Sequence, residues 1–421
     1  MDVRIEKLVY GGDGLGHADG ATVFVPYVLP EEVVRVRPVK QKKKFVRGRV
    51  EEVVEASAER TSPPCRHFGV CGGCHYQHMP YETQLRYKAE ILRENLRRIG
   101  RVNWEGPIET VGSPPLGYRN RAQWHMRGGE TGYLQAGTSV LCAVEECPIL
   151  SPRLAKIFHC VRALVAQKKL PPTVTEIEAF VDAADEKVLL NAFLSHFHGQ
   201  EKSVAETLRS GIGGTESVLV SEASRGMMEL DGPGFLEYEA AGFRYRVGHL
   251  SFFQVNRFLI EEMVRRVVGE EKGRLALDLF AGVGLFTLPL ARRYERAIGV
   301  ESNPATVRDL RANAKENEVE CGAVSEGVEK FLASWKDTPD LVVLDPPRAG
   351  VPAPAIDRLR RLGPERSAYL SCDPSTLARD LSALLASDGP GSSYEIQSVE
   401  LLDLFPQTYH IEALVRLTRR G

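Results

Sequence analysis

The 421-residue sequence has no run of eighteen or more apolar residues, which excludes a transmembrane helix of ordinary length. Its first thirty residues also lack the continuous apolar core of a secretory signal peptide, because acidic residues and glycines interrupt it. No excess of one charge is present, since the formal net charge is −2. We therefore expect a cytoplasmic protein that does not contact a membrane, and composition alone indicates no partner.

Cysteines are too few for a disulfide framework, with eight in the whole chain. Three of them, Cys65, Cys71 and Cys74, fall within ten residues and are separated by glycines. Soft thiolate ligands at this spacing predict zinc or an iron–sulfur cluster, and a distant fourth ligand is needed. Cys147 and Cys142 are the candidates for it. Zinc usually binds two short cysteine pairs, so a compact triplet plus one distant cysteine favours a [4Fe–4S] cluster.

Residues 1–58 have the pattern of a small β barrel, in which strand-like runs alternate with glycine-rich turns. Eight lysines or arginines and no acid lie between Val33 and Val50. Such a local basic run attracts phosphate even when the whole protein is nearly neutral. An OB-like barrel that binds nucleic acid and a structural β module with charged edges both fit the pattern. A second basic and aromatic stretch, at 118–127, is also expected to grip phosphates.

The rest of the chain divides into two further predicted domains. Residues 59–245 mix strand and helix patterns and predict an α+β domain, with an amphipathic helix over 81–99 that can pack against the last domain. Residues 246–421 alternate strands and helices regularly. That alternation predicts an α/β, Rossmann-like, doubly wound sheet.

A cofactor site is predicted in the segment LALDLFAGVGLF, where Asp278 leads a turn between a strand and a helix. Gly282 and Gly284 allow a ligand to approach the helix N-terminus closely. Glu301 closes the next strand, seventeen residues after Gly284, where its carboxylate can accept from ribose hydroxyls. Because the third glycine of the dinucleotide fingerprint is missing, we favour S-adenosylmethionine over NAD. Asp345 ends a further strand and is expected at the same edge of the sheet.

Cys372 follows another strand and precedes a helix expected to begin near Pro374. A cysteine at a helix N-terminus is favoured as a thiolate and can be a nucleophile, although simple core packing is the alternative. Beside a methyl donor, a thiolate that adds to C6 of uracil would make C5 reactive toward the methyl group. A base must then remove the C5 proton, and Glu412 and His410 are the candidates.

Five motifs occur in the order FFQVN, DLFAGVG, DPPRAG, YLSCDPSTLARD and DLFPQTYHIE. In that order they resemble the RNA uracil-5-methyltransferase family, and the N-terminal barrel is similar to the TRAM domain of many members. The resemblance covers essentially the whole chain. It implies a class I methyltransferase domain, S-adenosylmethionine as donor, RNA as partner, Cys372 as nucleophile and Glu412 as base. The donor-binding residues that it implies are Gln254, Phe280, Glu301 and Asp345.

The same resemblance implies a central iron–sulfur domain, because members with this cysteine triplet and a downstream Cys-Pro hold a [4Fe–4S] cluster. Its ligands would be Cys65, Cys71, Cys74 and, in preference to Cys142, Cys147. We expect a monomer that acts on ribosomal RNA. The alternatives are a tRNA uridine-54 C5 methyltransferase and an adenine amino methyltransferase, because Asp-Pro-Pro also occurs in enzymes that methylate amino nitrogens.

Overall fold

The structure is a computed structural model that describes residues 1–42, 45–222, 226–386, 391 and 393–420. Lys43 and Lys44 of the basic run therefore lie outside the described residues. Within these ranges, no helix has both the length and the apolar character needed to cross a membrane.

A closed five-stranded barrel forms the N-terminal part. Its strands are β1 (Asp2–Leu8), β2 (Asp13–Ala18), β3 (Ala21–Pro26), β4 (Val33–Lys42) and β5 (Phe45–Glu55). They pair in the order β1-β2-β3-β5-β4, and alternating valines and isoleucine fill the interior. Gly16 is required here, because a Cβ atom would lie 2.3 Å from the carbonyl oxygen of Arg4 on the paired strand. The predicted OB-like barrel is confirmed.

Acidic residues neutralise part of the barrel's basic run. Arg35 pairs with Asp2 and Glu52, and further pairs join Arg37 to Glu51 and Arg47 to Asp13. Lys40, Lys42 and Arg49 have no acidic partner among the residues that the structure describes. The cationic surface is therefore smaller than the sequence alone indicates.

The central part contains a seven-stranded sheet and three helices among its described residues. The elements are α1 (Tyr81–Arg98), β6 (Ile108–Val111), β7 (Arg121–Arg127), β8 (Glu130–Leu134), β9 (Leu141–Ala143), α2 (Pro152–Ala166), β10 (Val174–Val181), β11 (Val188–Leu194), α3 (Glu201–Gly211), β12 (Thr215–Glu222) and β13 (Met227–Asp231). The sheet order is β13-β12-β11-β10-β7-β8-β9. Apolar side chains of α2 and α3, such as Phe158 and Leu208, pack on it around Trp124.

The C-terminal part is a Rossmann-like sheet preceded by a hairpin. Its elements are β14 (Phe235–Ala240), β15 (Phe243–Gly248), α4 (Ile260–Val268), β16 (Gly273–Leu279), α5 (Thr287–Ala291), β17 (Tyr294–Glu301), α6 (Pro304–Glu316), β18 (Gly322–Ser325), α7 (Val328–Ser334), β19 (Leu341–Leu344), α8 (Ala353–Leu362), β20 (Arg366–Ser371), α9 (Pro374–Leu385), β21 (Tyr394–Leu402) and β22 (Ala413–Arg419). The sheet order is β18-β17-β16-β19-β20-β22-β21-β6. The first five strands are parallel, and β22 is antiparallel to both neighbours. The predicted α/β doubly wound sheet is confirmed.

Two elements of the segment 59–245 belong structurally with this last sheet. Strand β6 pairs in parallel with β21, with Val399 opposite Ile108. Helix α1 packs against α9, and their leucines and alanines share one core. A Cβ atom at Gly100, just past α1, would lie 2.5 Å from the carbonyl oxygen of Ala378, so the glycine allows this close approach. The chain thus passes through the Rossmann-like sheet before it forms the central one.

Candidate active site

The predicted site residues of the Rossmann-like sheet collect at one edge. Because β16, β17, β19 and β20 are parallel, their carboxyl ends meet there, and each carries a polar residue. Asp278 and Glu301 lie at the ends of β16 and β17, and Asp345 and Cys372 directly follow β19 and β20. This edge is where ligands bind in open α/β sheets.

Asp278 is fully buried and incompletely paired. One carboxylate oxygen accepts a 2.5 Å hydrogen bond from the hydroxyl of Thr287, while the other, Oδ1, has no partner among the described residues. Burial, and to a smaller extent the charge of Glu301, raise the pKa of Asp278 to about 7. An unpaired carboxylate oxygen in this position suits a cationic or hydrogen-bond-donating ligand.

Glu301 is oriented by backbone donors. Its carboxylate accepts from the N–H of Gly282 at 3.2 Å and from that of Asn303 at 2.8 Å. Space remains at the turn, since a Cβ atom built on Gly282 would meet nothing within 4 Å. Phe280 precedes this turn with a φ of +70°, a left-handed conformation that is strained for an aromatic residue. The turn therefore has the shape needed for a ligand beside Glu301.

Gln254 is buried in the segment between β15 and α4. Its backbone carbonyl accepts from the side-chain amide of Asn120 at 3.2 Å. Within the described part of the chain, no hydrogen bond joins its side chain to the polar residues at the strand ends. The observed hydrogen bonds therefore do not connect Gln254 to the strand ends or to the turn after β16, unlike the other three residues predicted to bind the donor.

Cys372 lies at the N-terminus of α9, which begins at Pro374 as the sequence predicts. The carboxylate of Asp373 caps that helix by accepting from the N–H groups of Ser375 and Thr376. Burial raises the pKa of the Cys372 thiol to about 12, and the carboxylates of Glu412 and Asp345 add to the effect. Burial and the two acids therefore act against the thiolate that the helix N-terminus is expected to favour.

Glu412 immediately precedes β22 and is buried beside Cys372. Burial raises its pKa well above the usual value, and the charge of Asp345 raises it further. Asp345 itself has a pKa raised to about 7 by burial and by Asp278. Arg348 opposes these effects, since its guanidinium favours the charged forms of both Cys372 and Glu412. The site thus holds a thiol and two carboxyl groups that affect each other's protonation, with one cation beside them.

A residue of the barrel also reaches this site. Tyr10 donates from its hydroxyl to Asp373 at 3.2 Å, and the same oxygen is 3.5 Å from the carbonyl oxygen of Cys372. Its ring packs edge-on against Tyr409, with 5.8 Å between ring centroids, and Tyr409 contacts His75 and His410. These half-buried rings form a contiguous aromatic group next to the residue that caps α9.

Comparisons with known proteins give a consistent result along the chain. The TRAM domain matches residues 1–50, the TRM5/TYW2 methyltransferase domain 238–350, and tRNA (Uracil-5-)-methyltransferase 332–420. An uncharacterized RNA methyltransferase of Aquifex aeolicus is 33% identical, covering 99% of this chain and 98% of that protein. The 23S rRNA (uracil(1939)-C(5))-methyltransferase RlmD of Salmonella paratyphi A is 32% identical, covering 100% and 96%.

The chain belongs to the RNA uracil-5-methyltransferase family. A solved member, the tRNA (uracil-54, C5)-methyltransferase of Pyrococcus abyssi in complex with S-adenosyl-L-homocysteine, is 25% identical with a TM-score of 0.77. The match covers 99% of this chain and 100% of that one. The resemblance predicted from the five motifs is confirmed, and a class I methyltransferase fold is shown.

A second candidate site of this uracil-5-methyltransferase family member is a cavity of about 220 Å³ in the central part. The cysteines that line it are Cys65, Cys71, Cys74 and Cys147. Cys142, the competing ligand, is instead buried in the core of the central sheet. The hydroxyl of Tyr133 hydrogen-bonds to the Cys147 sulfur and accepts from Trp124 at 3.0 Å, which fixes that wall of the cavity.

The four cysteines line this cavity. No group of three histidine, cysteine or acidic side chains among the described residues could hold a metal ion. Thiolates are the ligands that iron–sulfur clusters use, so the residue types fit the predicted cluster. Their arrangement does not show such a cluster.

The basic stretch at 118–127 does not form the expected phosphate grip. Asn120 is fully buried and donates to the hydroxyl of Tyr238. Arg121 pairs with Glu178 at 2.8 Å, and the guanidinium Nε of Arg119 donates to the carbonyl of Arg121. The prediction fails for Asn120 and Arg121, because Asn120 is buried against Tyr238 and Arg121 is paired within the central sheet.

Two residues at the site were not predicted from the sequence. Arg348 stands in the motif DPPRAG, whose position after a strand could have indicated it. Tyr10 belongs to a glycine-rich turn more than 300 residues from Cys372, and its sequence neighbours carry no sign of this contact. Long-range contacts of that kind can be found only in the folded chain.

Proposed function

We propose that this protein methylates C5 of uracil in RNA, with S-adenosylmethionine as donor and through a transient bond to Cys372. The observation that supports this most directly is the grouping of Cys372, Glu412 and Asp345 at the carboxyl ends of β20 and β19 and the start of β22. An amino-group methylation needs no thiol, so this grouping disfavours the adenine alternative.

In the proposed reaction, the Cys372 thiol loses its proton to solvent and the thiolate adds to C6, while the electron pair of the C5–C6 double bond moves toward C5. C5 then forms a bond to the methyl carbon as the bond between that carbon and the donor sulfur breaks, so S-adenosylhomocysteine is the leaving group. Glu412 accepts the C5 proton, the double bond re-forms, and the C6–sulfur bond breaks to release the thiolate. Burial raises the pKa of Glu412, which makes its ionised carboxylate a stronger base toward the C5 proton.

The donor would be held by Glu301 and Asp345, with Phe280 at the turn and Gln254 nearby. When bound, S-adenosylmethionine supplies an electrophilic methyl group on a cationic sulfur. Ribose hydroxyls suit the Glu301 carboxylate, and the unpaired oxygen of Asp278 offers a further acceptor. The pKa of about 7 for Asp278 and Asp345 is expected to fall when a cation binds beside them.

For the substrate we favour ribosomal RNA, because a relative that acts on 23S rRNA aligns over the whole chain. Transfer RNA is the second candidate, supported by the fold match to the uracil-54 enzyme. The thiol can reach a uracil only after that base has left the stack of neighbouring bases. The uridine must therefore be flipped into the site. We further propose that the protein acts as a monomer in the cytoplasm.

The decisive experiment uses purified protein, S-adenosylmethionine and unmodified 23S rRNA and tRNA transcripts, followed by nucleoside mass spectrometry. We expect 5-methyluridine in one transcript and none with Cys372→Ala. N6-methyladenosine as the product, or 5-methyluridine formed by the Cys372→Ala variant, would reject the proposed chemistry.

We also propose that the four cavity cysteines bind a [4Fe–4S] cluster, which would stabilise the central part of the fold. The cavity supports this, since Cys147 lines it and Cys142 does not. Protein purified without oxygen should contain iron and acid-labile sulfide in equal amounts. Cys147→Ser should lose most of both, whereas the matched variant Cys142→Ser should keep them; the reverse pattern would assign the fourth ligand to Cys142.

A further inference from the structure

The loop between β21 and β22, which leads to Glu412, contains a strained residue at its middle. Gln407 has a φ of +68°, in the left-handed region that residues other than glycine rarely adopt. Such a conformation costs free energy and persists only where surrounding contacts hold it. Two contacts are backbone hydrogen bonds, because the Gln407 carbonyl accepts from the N–H groups of His75 at 2.8 Å and Tyr76 at 3.0 Å.

Gln84 of helix α1 forms hydrogen bonds with two further polar groups of Gln407, its backbone N–H and its side-chain oxygen. Its Oε1 accepts from the backbone N–H of Gln407 at 3.0 Å, and its Nε2 donates to the Gln407 side-chain oxygen at 3.0 Å. Nε2 also donates to the carbonyl of Met79 at 3.3 Å. Gln84 is fully buried and Gln407 almost so. Water therefore has little access to replace these bonds when the amide is removed.

The path from Gln407 to Glu412 is short and internally bonded. The hydroxyl of Thr408 donates to the carbonyl of Phe405 at 2.8 Å and accepts from the N–H of His410 at 3.2 Å. The Glu412 carbonyl accepts from the N–H of Leu402, which closes the loop. A shift at Gln407 is thus passed on within five residues to the proposed base.

Cys372 is held by different contacts. It sits at the end of β20, and the capping bonds of Asp373 and the hydroxyl of Tyr10 fix its turn. Among the described hydrogen bonds, helix α1 is joined to this turn through Asn95, whose side-chain oxygen accepts from the hydroxyl of Ser375 at 3.2 Å. Gln84 lies three helical turns before Asn95, so its loss should leave the nucleophile in place.

We propose that Gln84 is a positioning residue for proton removal: by fixing Gln407 it places the Glu412 carboxylate against the C5 proton of the methylated uracil adduct. This rests on the proposed function, because it assumes the adduct and the base. Gln84 does not touch the reacting atoms. Its removal should therefore slow the step after methyl transfer and leave the attack by Cys372 unchanged.

The test is Gln84→Met, which removes both amide contacts at nearly constant volume. With the transcript that accepts methyl groups in the assay above, we expect turnover to fall about tenfold to a hundredfold. A covalent protein–RNA adduct should accumulate at the same time. Glu90→Met is the matched control, since Glu90 lies on the exposed face of the same helix and pairs with Arg86; it should behave as wild type.

The same transcript made with 5-fluorouridine separates positioning from general damage. Its C5 fluorine cannot leave as a proton, so every variant with a working nucleophile should form the adduct. Gln84→Met should do so at the wild-type rate. A slower rate on this transcript, in proportion to the lost turnover, would show a general structural effect and overturn the inference.

Glu412→Gln, measured in parallel, distinguishes the two possible failures. If Glu412→Gln accumulates the adduct on the uridine transcript and Gln84→Met turns over normally without it, the inference alone is wrong. If neither variant accumulates an adduct and Glu412→Gln keeps wild-type turnover, the proposed function is wrong as well.

Discussion

At the scale of single residues, the proposed chemistry depends on a thiol that the free protein keeps protonated. Burial together with Glu412 and Asp345 raises the pKa of Cys372, and the charge of Arg348 and a backbone hydrogen bond oppose them. The sequence predicted the position of this cysteine at the start of a helix but not its protonation. Protonation depends on acids that are distant in the chain and that fold against the sulfur. A protonated thiol in the resting protein also resists oxidation and alkylation.

This leads to a pH prediction for the free protein. With a pKa of about 12, the thiolate fraction at neutral pH is very small and increases with each unit of pH. Alkylation of Cys372 by iodoacetamide, followed by mass spectrometry of its peptide, should become about tenfold faster per pH unit from about pH 7 to 9. A plateau near pH 7 would show instead that the resting thiol is already ionised.

Tyr10 allows a second prediction at this scale. Tyr10→Phe keeps the ring packing on Tyr409 but removes the hydroxyl that donates to Asp373. We expect a loss of about 1 kcal/mol or less in the free energy of unfolding. The rate of adduct formation on 5-fluorouridine RNA should decrease by a larger factor than this loss of stability can explain. An unchanged adduct rate would mean that the barrel contact does not position the nucleophile.

At the scale of elements, long-range pairing decides what the sequence could and could not predict. The parallel strands and helices of 246–421 follow from regular alternation, and the barrel follows from its glycines and valines. Strand β6 could not be predicted, because four residues carry no periodicity and their partner β21 lies about 290 residues away. The same holds for Gln84 and Gln407, whose pairing depends on how α1 packs.

The buried ion pair between α1 and the loop before Glu412 gives an element-scale prediction. Lys88 Nζ donates to Asp403 at 2.6 Å and to the carbonyl of Phe405 at 3.0 Å, and both charged groups are excluded from water. Lys88→Met leaves a buried carboxylate without its cation, so we expect a loss of about 3 to 5 kcal/mol in unfolding free energy. Urea denaturation of the variant and the wild type measures this loss.

The double variant Lys88→Met/Asp403→Leu is the control for this pair. Because it removes both charges together, it should recover most of the stability lost in the single variant. A double variant as unstable as Lys88→Met would indicate that packing at Lys88, rather than the unpaired charge, causes the loss.

At the scale of the whole molecule, the barrel, the cysteine segment and the catalytic sheet meet around one thiol. Tyr10 comes from the barrel, His75 follows Cys74 directly, and Tyr409 precedes Glu412 in the chain. We therefore expect an RNA bound at Cys372 to contact surfaces from all three parts. This arrangement explains why a nearly neutral protein can still bind RNA, since contact area and local charge replace a large net charge.

The barrel's unpaired cations allow a prediction of salt dependence. Lys40 and Arg49 lack acidic partners in the described ranges, whereas Arg35 is paired on both sides. Lys40→Ala/Arg49→Ala should weaken binding of the substrate transcript and reduce the slope of log Kd against log salt by about 2. The matched variant Arg35→Ala should change the slope less. Equal effects would mean that pairing within the barrel does not decide which cations contact phosphate.

The central claim is a covalent bond between Cys372 and a uracil ring. Its most direct test is peptide and nucleotide mass spectrometry of the Glu412→Gln protein after incubation with S-adenosylmethionine and the substrate transcript. We predict a peptide containing Cys372 that carries one methylated uridine nucleotide. Full turnover to 5-methyluridine without any such peptide would contradict the claim.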